Sequence, residues 1–214
     1  MGIMVDLQVN PENVGYRLNF DGALRACTGE IIFLCDQDDV WHADKLARFC
    51  AAFDARPGLR VLHCNARLID EAGQPMPQTL FAALRYGAGQ QARMHAGDGL
   101  RVLLKRKRIT GAAMALHRSV LDDALPLPTS DWVHDAWIGT LAAMRDQALA
   151  SQARAPVLLG AQADDDAVDP GLDLHRLVHR RSSVVVVLAT VLVVVVVAVV
   201  ETVVVMVAVE ILNH

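Results

Sequence analysis

Apolar positions along the chain change period several times, and each change marks an element. Residues 3–9 read as a short strand, and Asn10-Pro11-Glu12-Asn13 as a loop with a helix N-cap signal. Tyr16, Phe20, Ala23, Leu24 and Cys27 then recur at i, i+4, i+7, i+8 and i+11, the one-sided stripe of an amphipathic helix. Thr28-Gly29 ends it. Residues 30–35 carry the run Ile31-Ile32-Phe33-Leu34, too short for a helix and β-branched in part, which predicts a buried strand. Leu46, Phe49, Cys50 and Phe53 mark a second amphipathic helix, closed by Pro57-Gly58, before a strand at 59–64 and a turn at 70–73. Residues 74–95 are rich in Gly, Gln and Ala with little periodicity and predict a mobile surface segment. A helix is expected over 97–107, a strand of small residues over 109–117, and a helix beginning near His134 after the breaker Pro126-Leu127-Pro128. Alternating strands and helices predict an α/β fold, a sheet with helices on its faces.

The end of the chain differs in kind. Residues 151–183 are poorly patterned, with an acidic patch at Asp164-Asp165-Asp166, and read as a linker. Residues 184–209 hold 17 valines in 26 positions. Three readings stay open for this Val-rich tail, 184–214. The uncharged stretch Val184–Val200 approaches the length of a membrane-spanning helix, with His179-Arg180-Arg181 on its cytoplasmic side. Its valine content and low charge also fit an aggregation-prone β segment. The third reading is low-complexity translated sequence rather than a natural domain end.

Composition narrows the class. The 214 residues suit one domain with a sizeable core, and a net charge of −4 gives no sign of general nucleic-acid binding. Lys105-Arg106-Lys107-Arg108 is the one dense basic run, a solvated helix end or a site of attraction to anionic lipid head groups. Cys27, Cys35, Cys50 and Cys64 lie inside apolar patterns without ligand spacing and read as buried thiols in a reducing compartment. The N-terminus lacks the charged-then-apolar order of a signal peptide.

The chemistry concentrates after the buried strand. Asp36, Asp38 and Asp39 put three carboxylates in four positions, at the strand end where open α/β sheets bind ligands. Carboxylates so close repel. A divalent cation of the Mg or Mn type, which takes one or two carboxylates and completes its shell with water and phosphates, accounts for them economically. A solvated acidic turn capping the next helix through Asp39 or Asp44 is the plainer alternative. Trp41 reads as a packing residue or as a stacking platform.

Four blocks carry a resemblance. They are Asn13-Val14-Gly15-Tyr16-Arg17-Leu18-Asn19-Phe20, then Ala26–Leu34 with Asp36-Gln37-Asp38-Asp39-Val40-Trp41 and Asp44-Lys45-Leu46, then Thr110-Gly111-Ala112-Ala113-Met114-Ala115, and last His134-Asp135-Ala136-Trp137. In this order they resemble the family 2 glycosyltransferases, the rhamnosyltransferase-like branch most, over roughly residues 10–145. The resemblance implies a partial GT-A fold over residues 1–150. It implies an inverting transfer of a sugar from a nucleotide-diphosphate donor, dTDP- or UDP-linked with dTDP-rhamnose among the candidates, to a saccharide or lipid-linked acceptor in surface polysaccharide synthesis. It also implies a bacterial cytoplasmic location near the inner membrane. Asp38 would be the main metal-contacting carboxylate, with Asp36 beside it on the metal or the ribose. Arg17 would lie near the donor diphosphate, and Gly111 would allow close approach of backbone to substrate. Asp135 would be the general base, placed in the first turn of a helix. The family's N-terminal βαβ unit, which holds the nucleobase, has no counterpart before Asn10, so the chain is expected to be a fragment. A metal-dependent nucleotidyl- or phosphotransferase, an inactive remnant and a membrane-tethered binding module are the rival readings.

Overall fold

The computed structural model describes residues 4–10, 13–36, 39–42, 44–70, 73–129, 132–153, 184–189 and 203–209. In chain order the elements are β1 (Met4–Val9), α1 (Gly15–Ala26), β2 (Ile31–Cys35), α2 (Lys45–Ala55), β3 (Val61–His63), β4 (Arg67–Ile69), β5 (Pro75–Thr79), α3 (Leu80–Ala83), α4 (Ala88–His95), α5 (Gly99–Lys105), β6 (Met114–His117), α6 (Leu121–Ala124), α7 (His134–Ala153), β7 (Val184–Ala189) and β8 (Val203–Val209). Single 3₁₀ turns sit at Gly111–Ala113 and Arg118–Val120. The architecture is mixed α/β. One sheet runs β1-β8-β7-β2-β6-β3, while β4 and β5 form a separate antiparallel pair. Strands β1, β8, β7 and β2 are parallel, and β6 runs against both of its neighbours.

All five residues of β2 are buried, the pattern a strand shows when both faces are covered. Its side chains divide by parity, as the pleat requires. Ile32 and Leu34 join a core with Phe20 and Leu24 of α1, Val102 of α5 and Ile138 of α7. Ile31, Phe33 and Cys35 join a second with Leu46, Phe49, Cys50 and Phe53 of α2. The stripes read from the sequence on α1 and α2 are thus the two faces that clasp β2. None of the four cysteines is in a disulfide; three are buried and Cys64 is half-buried. Burial pushes the Cys27 thiol up to about 12, against the opposing influence of Arg118.

Several expectations are corrected. Residues 74–95 are not a loose surface segment, for they contain β5, α3 and α4 and send Phe81, Tyr86 and Met94 into the core. Phe81 and Tyr86 meet edge to face at 4.9 Å, and His63 lies 5.4 and 5.3 Å from their ring centres. Three anchors so widely spaced leave no period to detect. The expected helix 97–107 covers only Gly99–Lys105, after which Arg106 is extended. Lys105 in the last turn of α5 and Arg106 after it are exposed, as a solvated helix end requires, but the rest of the run departs from that reading. Arg108 is buried and donates to the carbonyls of Leu84 and Arg85, and Lys107 meets a carboxylate described below. Of the strand expected at 109–117, only Met114–His117 is extended in the sheet. Helix α7 begins at His134 and runs past residue 150 to Ala153.

Within the Val-rich tail, Val184–Ala189 and Val203–Val209 are the inner parallel strands between β1 and β2. A valine-rich apolar run suits a strand lying inside a parallel sheet. The rest of the tail, and the linker with its acidic patch from residue 154 onward, lie outside the described residues. Among the described residues no helix is long and apolar enough to cross a membrane.

His63 provides a test of the second half of the sheet. Burial pushes its imidazole down to about 4, with the His95 charge acting in the same direction. The unfolded chain would take up that proton near pH 6.5. The contribution of neutral His63 is therefore complete above pH 6.5 and lost as pH falls towards 4, on the order of 3 kcal/mol across the window. Urea unfolding at pH 7 and pH 4.5 should show a smaller acid loss in His63→Leu than in the parent. Equal losses would remove His63 as the cause.

Candidate active site

The antiparallel pairing of β2 with β6 sets Phe33 opposite Ala115 and Ile31 opposite His117. The end of β2, and Asp36 after it, therefore lie at the same sheet edge as the 3₁₀ turn Gly111–Ala113 that leads into β6. Two long-range contacts grip this turn. On one side the Lys45 ammonium, from the start of α2, donates to the Ala112 carbonyl at 2.8 Å. On the other, Asp135 from the first turn of α7 accepts the Gly111 N–H at 3.0 Å. The acidic loop and the α7 terminus, distant in sequence, are joined through one short turn.

Asp135 is buried. Its Oδ2 also lies 2.9 Å from the Lys107 ammonium, and its Oδ1 accepts the Ala136 N–H at 2.6 Å. Lys107 reaches it because the chain turns extended after α5 and because α7 seats closely on Ile109. A Cβ on Gly139 would come 2.5 Å from the Ile109 Cδ1. Trp137 Nε1 donates to the Ala124 carbonyl at 3.0 Å and ties α7 to α6.

His134, next to Asp135, is also buried, and its ring stacks on Phe20 with centroids 3.8 Å apart. Burial pushes its imidazole down to about 4; the Asp135 charge acts upward and that of Lys107 downward. Gly111 faces it, since a Cβ there would lie 3.1 Å from His134 Nε2.

On the acidic side, Asp36 is half-buried, and its carbonyl accepts the Asp39 N–H at 3.4 Å, closing a turn. Asp38 lies outside the described residues. The capping alternative for Asp39 is corrected, because the N-cap position of α2 belongs to Asp44. Asp44 makes no side-chain cap bond and instead pairs with Arg48 at 2.7 Å and with His42. Trp41 packs on Phe33 at 5.7 Å and carries the Lys45 ammonium 3.8 Å above its ring. Burial holds Lys45 below the usual lysine range, opposed by the charges of Cys64, Cys35, Asp39 and Asp36. Among the described residues, no three His, Cys, Asp or Glu side chains gather as a metal site.

The structure thus brings Gly111 and Asp135 together and links them through Lys45 to the loop that carries Asp36. Arg17 is half-buried in the first turn of α1, the helix whose Tyr16 and Phe20 face the His134 ring. Sequence reasoning passed over Lys45 and Lys107. A lysine after a helix cap and one in a basic run carry no local mark of a partner far along the chain.

A family model, Glycosyl transferase family 2, matches residues 4–124, more than half of the chain. Neither a curated protein nor a solved structure matches it. The matched span takes in β1, the strand end with Asp36, and the Gly111 turn, so the chain belongs to glycosyl transferase family 2.

Proposed function

We propose that this chain is an inverting, GT-A-type transferase that moves a sugar from a nucleotide-diphosphate donor to a hydroxyl of a saccharide or lipid-linked acceptor. The observation that carries the reading is the buried Asp135 carboxylate, held by the Gly111 N–H at the sheet edge where Asp36 leaves β2. The donor proposed first is dTDP-rhamnose, on the blocks around Asp36 and His134 that resemble the rhamnosyltransferase-like branch.

Asp36 and Asp38 would hold a divalent cation. The donor set is hard oxygen, and ions of the Mg type need only one or two carboxylates beside the substrate phosphates. The cation supplies neutralisation of charge developing on the departing diphosphate. Asp135 takes the proton of the acceptor hydroxyl as its oxygen bonds to the anomeric carbon and the sugar–diphosphate bond breaks on the opposite face. A base must lie within hydrogen-bond reach of that proton. The Gly111 and Ala136 N–H groups fix both carboxylate oxygens, and Lys107 is their counter-charge. Arg17, at the start of α1, is proposed to face the donor phosphates.

Calorimetric titration of the full chain with dTDP-rhamnose and UDP-glucose, with and without manganese, tests the reading. Binding should require manganese and be abolished in Asp38→Asn, which removes a direct carboxylate ligand of the ion. A folded protein that binds neither donor would speak for the inactive remnant, and unchanged binding in Asp38→Asn would remove the metal assignment.

A further inference from the structure

The Lys45 ammonium joins the acidic loop to the Gly111–Ala113 turn. It donates to the Ala112 carbonyl at 2.8 Å, across 67 positions of sequence, and lies 3.8 Å above the Trp41 ring. Trp41 packs in turn on Phe33 of β2 and follows Asp36 and Asp39 in the loop. The other side of the turn holds Asp135 through the Gly111 N–H. A chain of contacts thus runs from the acidic loop through Trp41, Lys45, Ala112 and Gly111 to the carboxylate.

Packing alone does not require this ammonium. Helix α2 is already anchored by Leu46, Phe49, Cys50 and Phe53. The end of the turn is held without Lys45, since the Ala113 carbonyl accepts the Cys64 N–H at 2.9 Å and Met114 beyond it pairs with His63. Drawing a charge partly out of water costs stability, and burial does hold Lys45 below the usual lysine range. An apolar side chain would cover Trp41 without that cost. What it could not supply is a charge-assisted hydrogen bond to the Ala112 carbonyl, roughly twice as strong as a neutral one.

Resting on the function proposed above, we infer that Lys45 is a positioning residue for transfer, fixing the Gly111–Ala113 turn, and through it Asp135, relative to the acidic loop. In this role it touches neither sugar. The donor diphosphate is held at the Asp36 loop and the acceptor proton at Asp135. The acceptor oxygen meets the anomeric carbon in line only while those two ends keep their spacing. A misplacement of about 1 Å caused away from the chemistry can cost about 10²-fold in rate.

The test compares Lys45→Met with Lys45→Arg in the full chain. Methionine keeps an unbranched apolar stem against Trp41 and removes the donor. Arginine keeps a donor for the carbonyl and a cation for the ring. The rate is read as release of nucleoside diphosphate from dTDP-rhamnose or UDP-glucose, with manganese and free rhamnose or glucose as acceptor. Donor affinity is read by calorimetry on the same preparations. Lys45→Met should keep the parental thermal midpoint, hold donor affinity within about twofold and lose about 10²-fold in kcat. Hydrogen exchange at the Gly111 amide should quicken. Lys45→Arg should restore slow exchange and most of the lost rate. A parental kcat in Lys45→Met overturns the inference. So does a loss of donor affinity as large as the loss of rate, which would make Lys45 a donor-binding residue. An arginine variant no faster than the methionine one overturns it too, as does a Lys45→Met chain that fails to fold, which makes Lys45 structural. A folded parent that releases no diphosphate removes the function reading, and this inference with it.

Discussion

Asp135→Asn is expected to fold, to bind donor with parental affinity and to lose transfer by about 10²- to 10⁴-fold, the range a positioned general base supplies. Asparagine keeps an oxygen for the Gly111 N–H, so the grip on the 3₁₀ turn survives. The lost partners are the Ala136 N–H, which then faces the amide NH2, and Lys107, whose side chain is 42% exposed and can turn to solvent. What asparagine cannot do is accept the acceptor's proton. The comparison needs kcat and donor affinity measured on the same preparations. Transfer retained at the parental rate would remove Asp135 as the base, and loss of donor binding alongside transfer would make its role one of assembly.

Ending the chain at residue 183 should abolish the fold. The cut removes β7 and β8, the two strands that lie between β1 and β2. Strand β1 pairs with β8, and β2 with β7 on the side away from β6. The shortened chain would leave both with open edges, which templates association. Helix α1 lies against β7 and β8 and carries Phe20, the platform of the His134 ring. Its displacement would reach the candidate site directly. Size exclusion and thermal unfolding followed by circular dichroism decide the matter. The full chain should give one cooperative transition, and the shortened chain aggregates or a broad, non-cooperative signal. A monomeric 1–183 chain with the parental transition would show that the tail strands contribute nothing to the fold.

The two results bear on different parts of one arrangement. The role proposed for Asp135 needs α7, the Gly111 turn and the end of β2 to share a sheet edge. The shared edge depends on β2 being held from both sides, by β6 and by β7. Lys45 and Asp135 then fasten the turn by its Ala112 carbonyl and its Gly111 amide. Charge on either side chain is costly to bury singly, and each is met by groups on other elements.

What the sequence determined by itself was local. The run Ile31-Ile32-Phe33-Leu34 was legible as a buried strand, and the stripes of α1 and α2 as helices, because period and composition act over a few residues. The blocks around Asp36 and Gly111, both inside the matched span 4–124, were legible as those of a glycosyltransferase because spacing within each block is local too. Tertiary structure decided the rest. Lys107 looked like one cation among four until the chain turned extended and set it against Asp135. Phe81, Tyr86 and Met94 looked scattered until the core collected them. The Val-rich runs fitted a membrane helix as well as a strand, since valine's apolar surface serves both. A strand needs hydrogen-bonding partners, and those of β7 and β8 include β1 and β2, far away at the other end of the chain.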